Sequence, residues 1–191
     1  MARNPERRLA LVDAAIEVLA LEGARGLTFR AVDSRAGVPA GTASNYFANR
    51  DDLFTQAGAR IHVRMTPDPV QVDEAMATQP TRELYVELMR WLVRRMATER
   101  TGYLAMLELR LEATRRPTLQ AELNRAVRAV LEENRRSHLE SGLPGDTDTF
   151  LALYLAMTGL MLEHFTLPDV LADRDLDELV EAVVTRIIPE R

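Results

Sequence analysis

The sequence of 191 residues contains neither cysteine nor lysine. Without cysteine the chain forms no disulfide and offers no thiolate as a nucleophile or metal ligand. All 24 basic residues are arginine, which we interpret as the coding bias of a GC-rich genome and not as a feature of the mechanism. Aromatic residues make up only 5% of the chain, and leucine, alanine, arginine and glutamate outnumber the strand-forming types. The composition therefore favours an all-α fold.

Long hydrophobic runs are missing as well. The longest apolar stretch, residues 150–162, has 13 residues, whereas a helix that spans a bilayer needs about 20. We expect a buried helix there. Residues 1–8 are polar, and they lack the apolar stretch of a signal peptide. We therefore expect a cytoplasmic protein with no membrane partner.

The net charge of −5 argues against a uniformly basic nucleic-acid-binding protein. The charge is divided unevenly along the chain. Residues 1–66 carry nine arginines and seven acidic residues, a balance of +2, whereas residues 67–191 carry 15 arginines and 22 acidic residues, a balance of −7. Only the N-terminal third is therefore a candidate for contact with phosphate, and its excess charge is small.

The spacing of apolar residues in the first 66 positions predicts four helices. We expect them over residues 4–22, 29–36, 39–47 and 50–65. Gly23 and Gly26 should end the first helix, and the hydroxyl of Thr28 should cap the second. Gly37 suits the tight turn that follows, and Pro39 suits the first turn of the third helix. The pattern predicts a three-helix head with a fourth helix leading out of it.

The rest of the chain is also predicted to be helical. Pro67 and Pro69 mark residues 66–69 as a linker, because each disfavours helix at the preceding position. Gly102 should break the helical pattern that follows. We expect helices over residues 70–78, 81–100, 104–114, 117–141, 147–165 and 175–188, and no strand pattern is present.

Residues 28–47 have the order helix, glycine turn, helix, which is typical of a helix-turn-helix. The recognition helix of such a motif enters a major groove about 12 Å wide, so short or hydrogen-bonding side chains suit its exposed face. Tyr46 and Arg50 flank this face and are candidates for phosphate contacts, and Arg30 on the preceding helix is a candidate for a guanine edge or a phosphate. The predicted DNA-binding residues are Thr28, Arg30, Pro39, Ala40, Gly41, Thr42, Ser44, Asn45, Tyr46 and Arg50.

Residues 27–54, LTFRAVDSRAGVPAGTASNYFANRDDLF, resemble the N-terminal signature of the tetracycline-repressor (TetR) family. The matching positions are Thr28, Ala36, Gly37, Val38, Gly41, Thr42, Tyr46, Phe47, Arg50, Asp51, Asp52 and Leu53. The family often has Ser and then Lys or Arg where this chain has Pro39 and Ala40, and aromatic residues where it has Ser44 and Asn45. Fewer charged contacts imply weaker non-specific binding, and Asn45 becomes a candidate for bidentate recognition of adenine.

The resemblance implies an all-α protein with a helix-turn-helix head in residues 1–49, a connecting helix in residues 50–66 and a regulatory bundle in residues 67–191. By analogy the bundle binds a small-molecule effector and forms a homodimer, the partner of the head is double-stranded operator DNA, and no cofactor or metal is expected. Helices 147–165 and 175–188 would form a four-helix interface with the second copy. The apolar residues proposed for it are Phe150, Leu151, Leu155, Gly159 and Leu162. The alternative is that this surface is only the core of the monomer.

The effector pocket is suggested by residue type alone. Methionine adapts to varied ligand shapes, and tryptophan and tyrosine add a polar group to a large apolar surface. The candidates are Tyr85, Met89, Trp91, Tyr103, Met106, Arg110, Met157, Met161 and Phe165. For any single residue of this set a place in the core is the more common role, and Arg110 is the exception. Arg110 would either anchor an anionic ligand or face water beside Glu108 and Glu112, and we favour water.

Two other classes of protein remain as alternatives. A helix-bundle enzyme would need a catalytic motif, but His62, His138 and His164 are isolated and show neither an H-E-x-x-H pattern nor the Glu-x-x-His spacing of di-iron bundles. No glycine-rich phosphate loop or nucleophile motif is present either. A DNA-binding architectural protein without an effector would not need a large acidic helical domain. An operator footprint that a metabolite abolishes would separate a repressor from both.

Overall fold

The computed structural model describes residues 4–190, and within this range the chain forms helices and no strand. The elements are α1 (Pro5–Gly26), α2 (Phe29–Arg35), α3 (Arg50–Met65), α4 (Pro69–Met76), α5 (Arg82–Thr98), α6 (Arg100–Ala113), α7 (Pro117–Ser141), α8 (Thr147–Thr166) and α9 (Leu176–Ile187), with short 3-10 turns at Ala43–Asn45 and Pro168–Leu171. The expected all-α fold is confirmed. None of the helices in residues 4–190 has the length and apolar character that a bilayer crossing requires.

The helices group into two compact units that do not follow the order of the chain. The first unit contains α1, α2, α3, α6 and the first part of α7, and the second contains α4, α5, the rest of α7, α8 and α9. The helix that begins at Arg100 is thus part of the same unit as the predicted head. The functional division of the chain at residues 49 and 66 stays a prediction, because packing does not report which residues bind DNA.

The first unit is built around α1, whose buried residues Leu11, Ile16 and Leu19 face α2, α3 and α6. Gly58 on α3 faces α6, since a Cβ there would lie in ordinary contact with the side chain of Leu109, at 3.6 Å. Phe54 is fully buried in α3. Burial of these side chains, worth about 1.5–3 kcal/mol for each large apolar residue, stabilises the unit.

The second unit has its own core between α5, α8 and α9. Its fully buried members include Met157 on α8 together with Val180 and Val184 on α9. Arg90 on α5 adds a polar link at the rim, because its guanidinium donates to Glu181 on α9 at 2.7 Å. This exposed ion pair adds little stability compared with the apolar core.

As predicted, α1 is interrupted at Gly23, where φ is 70°, and ends at Gly26. Two details of the predicted helices are wrong. Gly102 does not break a helix: it lies buried inside α6, and the break is at Glu99, whose carboxylate accepts from Arg64 at 3.0 Å. The third predicted helix, residues 39–47, is a turn followed by one 3-10 turn. Helices α3 and α7, in contrast, have the predicted bounds.

Candidate functional site

The predicted recognition helix is replaced by a compact turn over residues 39–47, which we call the recognition segment. The N–H of Thr42 donates to the carbonyl of Pro39 at 3.1 Å, and Gly41 has φ +88°, so residues 39–42 form a type II turn. A glycine is required there because other residues rarely adopt this φ. The segment then closes with a 3-10 turn, in which the N–H of Tyr46 donates to the carbonyl of Ala43 at 2.9 Å.

Two apolar side chains and one carboxylate hold this segment on the first unit. Ala43 and Phe47 are buried in the core of that unit. Asp33 on α2 is only 2% exposed, and its two carboxylate oxygens accept from the N–H groups of Gly41 and Ala43, each at 2.7 Å. Hydrogen bonds to an ionised acceptor are the strong ones. Asp33 is not among the residues predicted from the sequence, although an acidic residue beside the apolar Val32 was the available signal.

The polar side chains of the recognition segment form hydrogen bonds with its own backbone. The hydroxyl of Thr42 donates to the carbonyl of Pro39 at 2.5 Å, and that of Ser44 donates to Gly41 at 2.8 Å. The amide of Asn45 also donates to the carbonyl of Gly41, at 3.1 Å. The oxygens of all three side chains keep acceptor capacity for an outside donor. Pro39, Ala40, Gly41, Ser44 and Asn45 are exposed, and Thr42 and Tyr46 are half-buried.

The three predicted DNA-binding residues outside the recognition segment are Thr28, Arg30 and Arg50, and two of them form hydrogen bonds within the protein. Thr28 caps α2, its hydroxyl oxygen accepting from the N–H of Ala31 at 3.1 Å. Arg30 on α2 is exposed. Arg50 donates to the carbonyl of Ala24, and its guanidinium lies 5.1 Å from the centre of the Phe54 ring. A contact of Arg50 with phosphate stays a prediction, and in this conformation the guanidinium already binds within the protein.

The candidate effector residues are divided between the two units. Tyr103, Met106 and Arg110 lie on α6 in the first unit. Tyr103 is buried, and burial raises the pKa of its hydroxyl while the charge of Arg110 acts in the opposite direction. Met106 is partly buried against the core. Arg110 is exposed, as expected for a side chain that faces water.

The remaining candidates belong to the second unit. Tyr85 and Met157 are buried in its core, and Met89 and Met161 are packed against that core at its edge. Phe165 on α8 is buried as well. Trp91 is half-buried in an open groove between α4 and α5, and this groove is also lined by Ala75, Leu84, Leu88 and Arg94. The structure thus gathers Tyr85 and three methionines and places Trp91 in the groove.

A buried histidine completes the surroundings of Tyr85. The hydroxyl of Tyr85 lies 3.2 Å from Nδ1 of His138, and Nε2 of His138 lies 3.2 Å from the carbonyl of Gly145. Because a carbonyl only accepts, Nε2 carries the proton and Nδ1 accepts from Tyr85. Burial raises the pKa of Tyr85 to about 12 and lowers the pKa of His138. Both groups are therefore neutral near pH 7. No local pattern predicted this pairing, since the two residues are 53 positions apart.

Comparison with known proteins gives matches along most of the chain. Residues 11–57 match the model for bacterial regulatory proteins of the tetR family, and residues 80–190 match the tetracyclin repressor-like C-terminal domain. A nicotine-responsive transcriptional repressor of Paenarthrobacter nicotinovorans, HdnoR, is 25% identical over 95% of this chain and 96% of its own.

Solved structures match over the whole fold. A TetR-family member from Streptomyces coelicolor A3 is 33% identical, with a TM-score of 0.70 over 97% of this chain and 99% of its own. The multidrug-binding protein EbrR, solved as a complex with ethidium, is 32% identical, with a TM-score of 0.64 over 97% of this chain and 100% of its own. Further EbrR structures contain proflavin and imidazole.

The buried His138 predicts a pH dependence of stability. Because burial lowers its pKa below the ordinary value of 6.5, the unfolded chain binds a proton at this residue more readily than the folded chain. The contribution of His138 to the free energy of unfolding is fully present above about pH 6.5 and is lost as the pH falls below that value. We expect the melting temperature to fall further between about pH 7.5 and 5.5 in the wild type than in His138→Gln.

Thermal unfolding followed by circular dichroism measures this difference. The exposed His62 provides the control, since His62→Gln should keep the pH dependence of the wild type. Equal falls in melting temperature for His138→Gln and the wild type would contradict the prediction.

Proposed function

Since the chain belongs to the tetracycline-repressor (TetR) family of transcriptional regulators, we propose that it is a ligand-responsive repressor. In this proposal the recognition segment binds operator DNA, and a small-molecule effector releases it. The observation that carries the proposal is the recognition segment itself, which presents short polar side chains on a rigid turn anchored in the core of the first unit. A helix-bundle enzyme and an effector-independent architectural protein remain the alternatives.

Base recognition in this proposal depends on the side chains of the recognition segment. Residues 39–47 carry no charged side chain, so they contribute hydrogen bonds and shape but no ionic contact. Thr42, Ser44 and Asn45 have oxygens that accept from the amino groups of adenine or cytosine in the major groove. Contacts with phosphate come from flanking residues such as Arg30 and position the segment without reading the sequence.

The first test of this function is DNA binding. We expect Thr42→Ala and Tyr46→Ala each to weaken operator binding by about tenfold, and Asn45→Ala to relax the base preference at one position, since a good base contact is worth about 1–3 kcal/mol. The operator should be an inverted repeat, because a dimer presents two recognition segments. Footprinting and fluorescence anisotropy at several salt concentrations measure these effects.

Affinity should fall steeply as salt rises, because phosphate contacts release counterions. Ser137→Ala, an exposed change on α7, is the matched control and should bind as the wild type does. Binding that is insensitive to salt, or no binding to any genomic fragment, contradicts the proposed function.

Helix α8 carries the face that we propose for dimerisation. Leu155 and Leu162 are 66% and 41% exposed, and Gly159 lies between them with open space where a Cβ would point. These positions are spaced by three or four residues and share one side of the helix. Phe150 is not part of this face: it is buried and stacks on His138 with ring centres 5.6 Å apart. An exposed apolar stripe of this kind is typical of a protein interface.

A charge on this stripe should separate the two copies. Leu155→Asp and Leu162→Asp would each bury a carboxylate without a partner, at a cost of several kcal/mol. We expect both variants to be folded monomers that have lost operator binding, as measured by light scattering and anisotropy. Leu139, 44% exposed on α7, gives the matched control, since Leu139→Asp should stay dimeric. A wild-type protein that is monomeric at micromolar concentration would show that the interface is wrong.

We place the effector between α5 and α8, where Tyr85, Met89, Met157 and Met161 come together. Methionines accommodate varied flat ligands, and the tyrosine hydroxyl adds one polar partner. Nicotine, ethidium and proflavin, the compounds associated with the relatives, are nitrogen-containing aromatic molecules. A flat aromatic cation is therefore the effector class that we propose, and the balance of −7 in residues 67–191 favours a cation.

Coupling between effector and DNA runs through α6 in this proposal. The helix carries Tyr103 and Met106, and its Glu108 carboxylate accepts from the N–H of Ala24 at 3.0 Å, next to the break in α1. Gly102 on the same helix faces Ile61 of α3, since a Cβ there would lie 3.9 Å from that side chain. A shift of α6 would therefore move both α1 and α3.

Thermodynamic linkage between effector binding and operator binding provides a test of this coupling. The operator must weaken effector binding by the same factor by which the effector weakens operator binding. We expect nicotine, titrated by isothermal calorimetry because it does not intercalate into the operator duplex, to bind less tightly when operator is present. Gly102→Val should keep the fold and the dimer but lose part of the response, whereas Leu139→Ala should keep all of it. Equal nicotine affinity with and without operator would show that the pocket and the DNA site are not coupled.

A further inference from the structure

The buried Asp33 has no part in the proposed contacts with DNA or effector, and yet its environment is unusual. Among the residues that the structure describes, three polar or charged side chains are buried: Asp33, Glu112 and His138. Glu112 pairs with two neighbouring arginines. Asp33 instead directs one oxygen to the N–H of Gly41 and the other to the N–H of Ala43. Both acceptor oxygens of this buried carboxylate are thus used on the recognition segment.

We propose that Asp33 is a positioning residue that determines which bases the recognition segment reads. It does so by holding the segment in its turn and 3-10 conformation before DNA arrives. The inference rests on the proposed function, since it requires that residues 39–47 contact operator DNA.

The alternative conformation of the recognition segment is an α-helix that begins at Pro39. Ala43 is fully buried, so its N–H must have a partner, because an unpaired buried donor is costly. In an α-helix that began at Pro39, the carbonyl of Pro39 would accept from this N–H. In the structure Asp33 accepts instead, and the carbonyl of Pro39 accepts from Thr42. Asp33 therefore competes directly with the helical arrangement.

The conformation of the recognition segment determines the directions in which the side chains of Thr42 and Asn45 point. In a 3-10 turn, residues three positions apart point in the same direction, because one turn contains three residues. Thr42 and Asn45 are therefore aligned. In an α-helix the same two side chains would differ in direction by about 60°, because each residue turns by about 100°. Loss of the Asp33 hydrogen bonds would consequently change the pair of bases that Thr42 and Asn45 reach together.

Gly41 provides an independent test of the same conformation. Its φ of +88° suits the turn that Asp33 stabilises, and no atom lies within 4 Å of the position of a Cβ. Gly41→Ala therefore causes no steric overlap within the protein and disfavours the turn. Asp33→Asn acts from the other side, since it keeps the shape of the side chain but replaces one acceptor oxygen with an NH₂ group that faces an N–H.

The experiment selects binding sites from a pool of randomised DNA duplexes with the wild type, Asp33→Asn and Gly41→Ala. Affinity is then measured for the duplex that the wild type selects and for a scrambled duplex of the same composition. We expect both variants to bind the scrambled duplex within about twofold of the wild type and the selected duplex at least about tenfold more weakly, and to select different bases at the contacted positions.

Leu109→Ala is the control for loss of stability alone, because Leu109 is fully buried on α6 and has no bond to the segment. It should lower the melting temperature and leave the selected sequence unchanged. Should Asp33→Asn fail to fold, Gly41→Ala alone decides the comparison.

The outcomes separate this inference from the proposed function. A wild type that selects no sequence contradicts DNA reading itself. A wild type that selects a sequence, together with variants that select the same one, overturns only the role of Asp33. Equal weakening on both duplexes would show that Asp33 is purely structural and would also overturn the inference.

Discussion

The backbone N–H and carbonyl of Ala24 are both bound by side chains of other helices, and the connection of three helices in the first unit depends on this arrangement. The N–H donates to Glu108 on α6, and the carbonyl accepts from Arg50 on α3. Helix α1 cannot satisfy these groups itself, because Gly23, with φ 70° and ψ 179°, interrupts its hydrogen-bond pattern. Two helices distant in sequence therefore complete the end of α1. A change in the position of either helix alters the backbone hydrogen bonds of Ala24, in the same unit as the recognition segment.

Charge in this unit serves mainly to connect its helices. Arg60 binds Asp13 through two hydrogen bonds, and Arg64 binds Glu99. Such partly exposed pairs each contribute about 1 kcal/mol or less to the free energy of unfolding. They therefore orient the helices relative to each other more than they stabilise the unit. They also reduce the positive charge that is free for DNA, which is already only +2 over residues 1–66. Under the proposed function, discrimination between sequences therefore depends on how well the recognition segment is preorganised, since a small charge supplies little affinity that is common to all sequences.

Local patterns in the sequence predicted the fold well wherever a helix buries one continuous face. The apolar spacing in α7 and α8 gave the correct helix starts, at Pro117 and Thr147. The pattern misled at Gly102, because a glycine is weak evidence for a helix break: Gly102 lies buried inside α6, where the helix continues through it. The candidate effector residues were chosen by type, and type alone could not assign Tyr85 and Tyr103 to different units.

The conformation of the recognition segment could not be predicted from the neighbouring residues in the sequence. Pro39 at a helix start and the helix-turn-helix order of residues 28–47 predicted an α-helix, although glycine, threonine, serine and asparagine have low helix propensity. The deciding interaction is a pair of hydrogen bonds from the N–H groups of Gly41 and Ala43 to Asp33, which lies on another helix and in the sequence looks like one more polar surface residue. A buried carboxylate with two backbone partners outweighs the weak preference of a short helix, since helices of one or two turns gain little from propensity. The conformation that would meet the DNA is thus fixed by a side chain that never touches it.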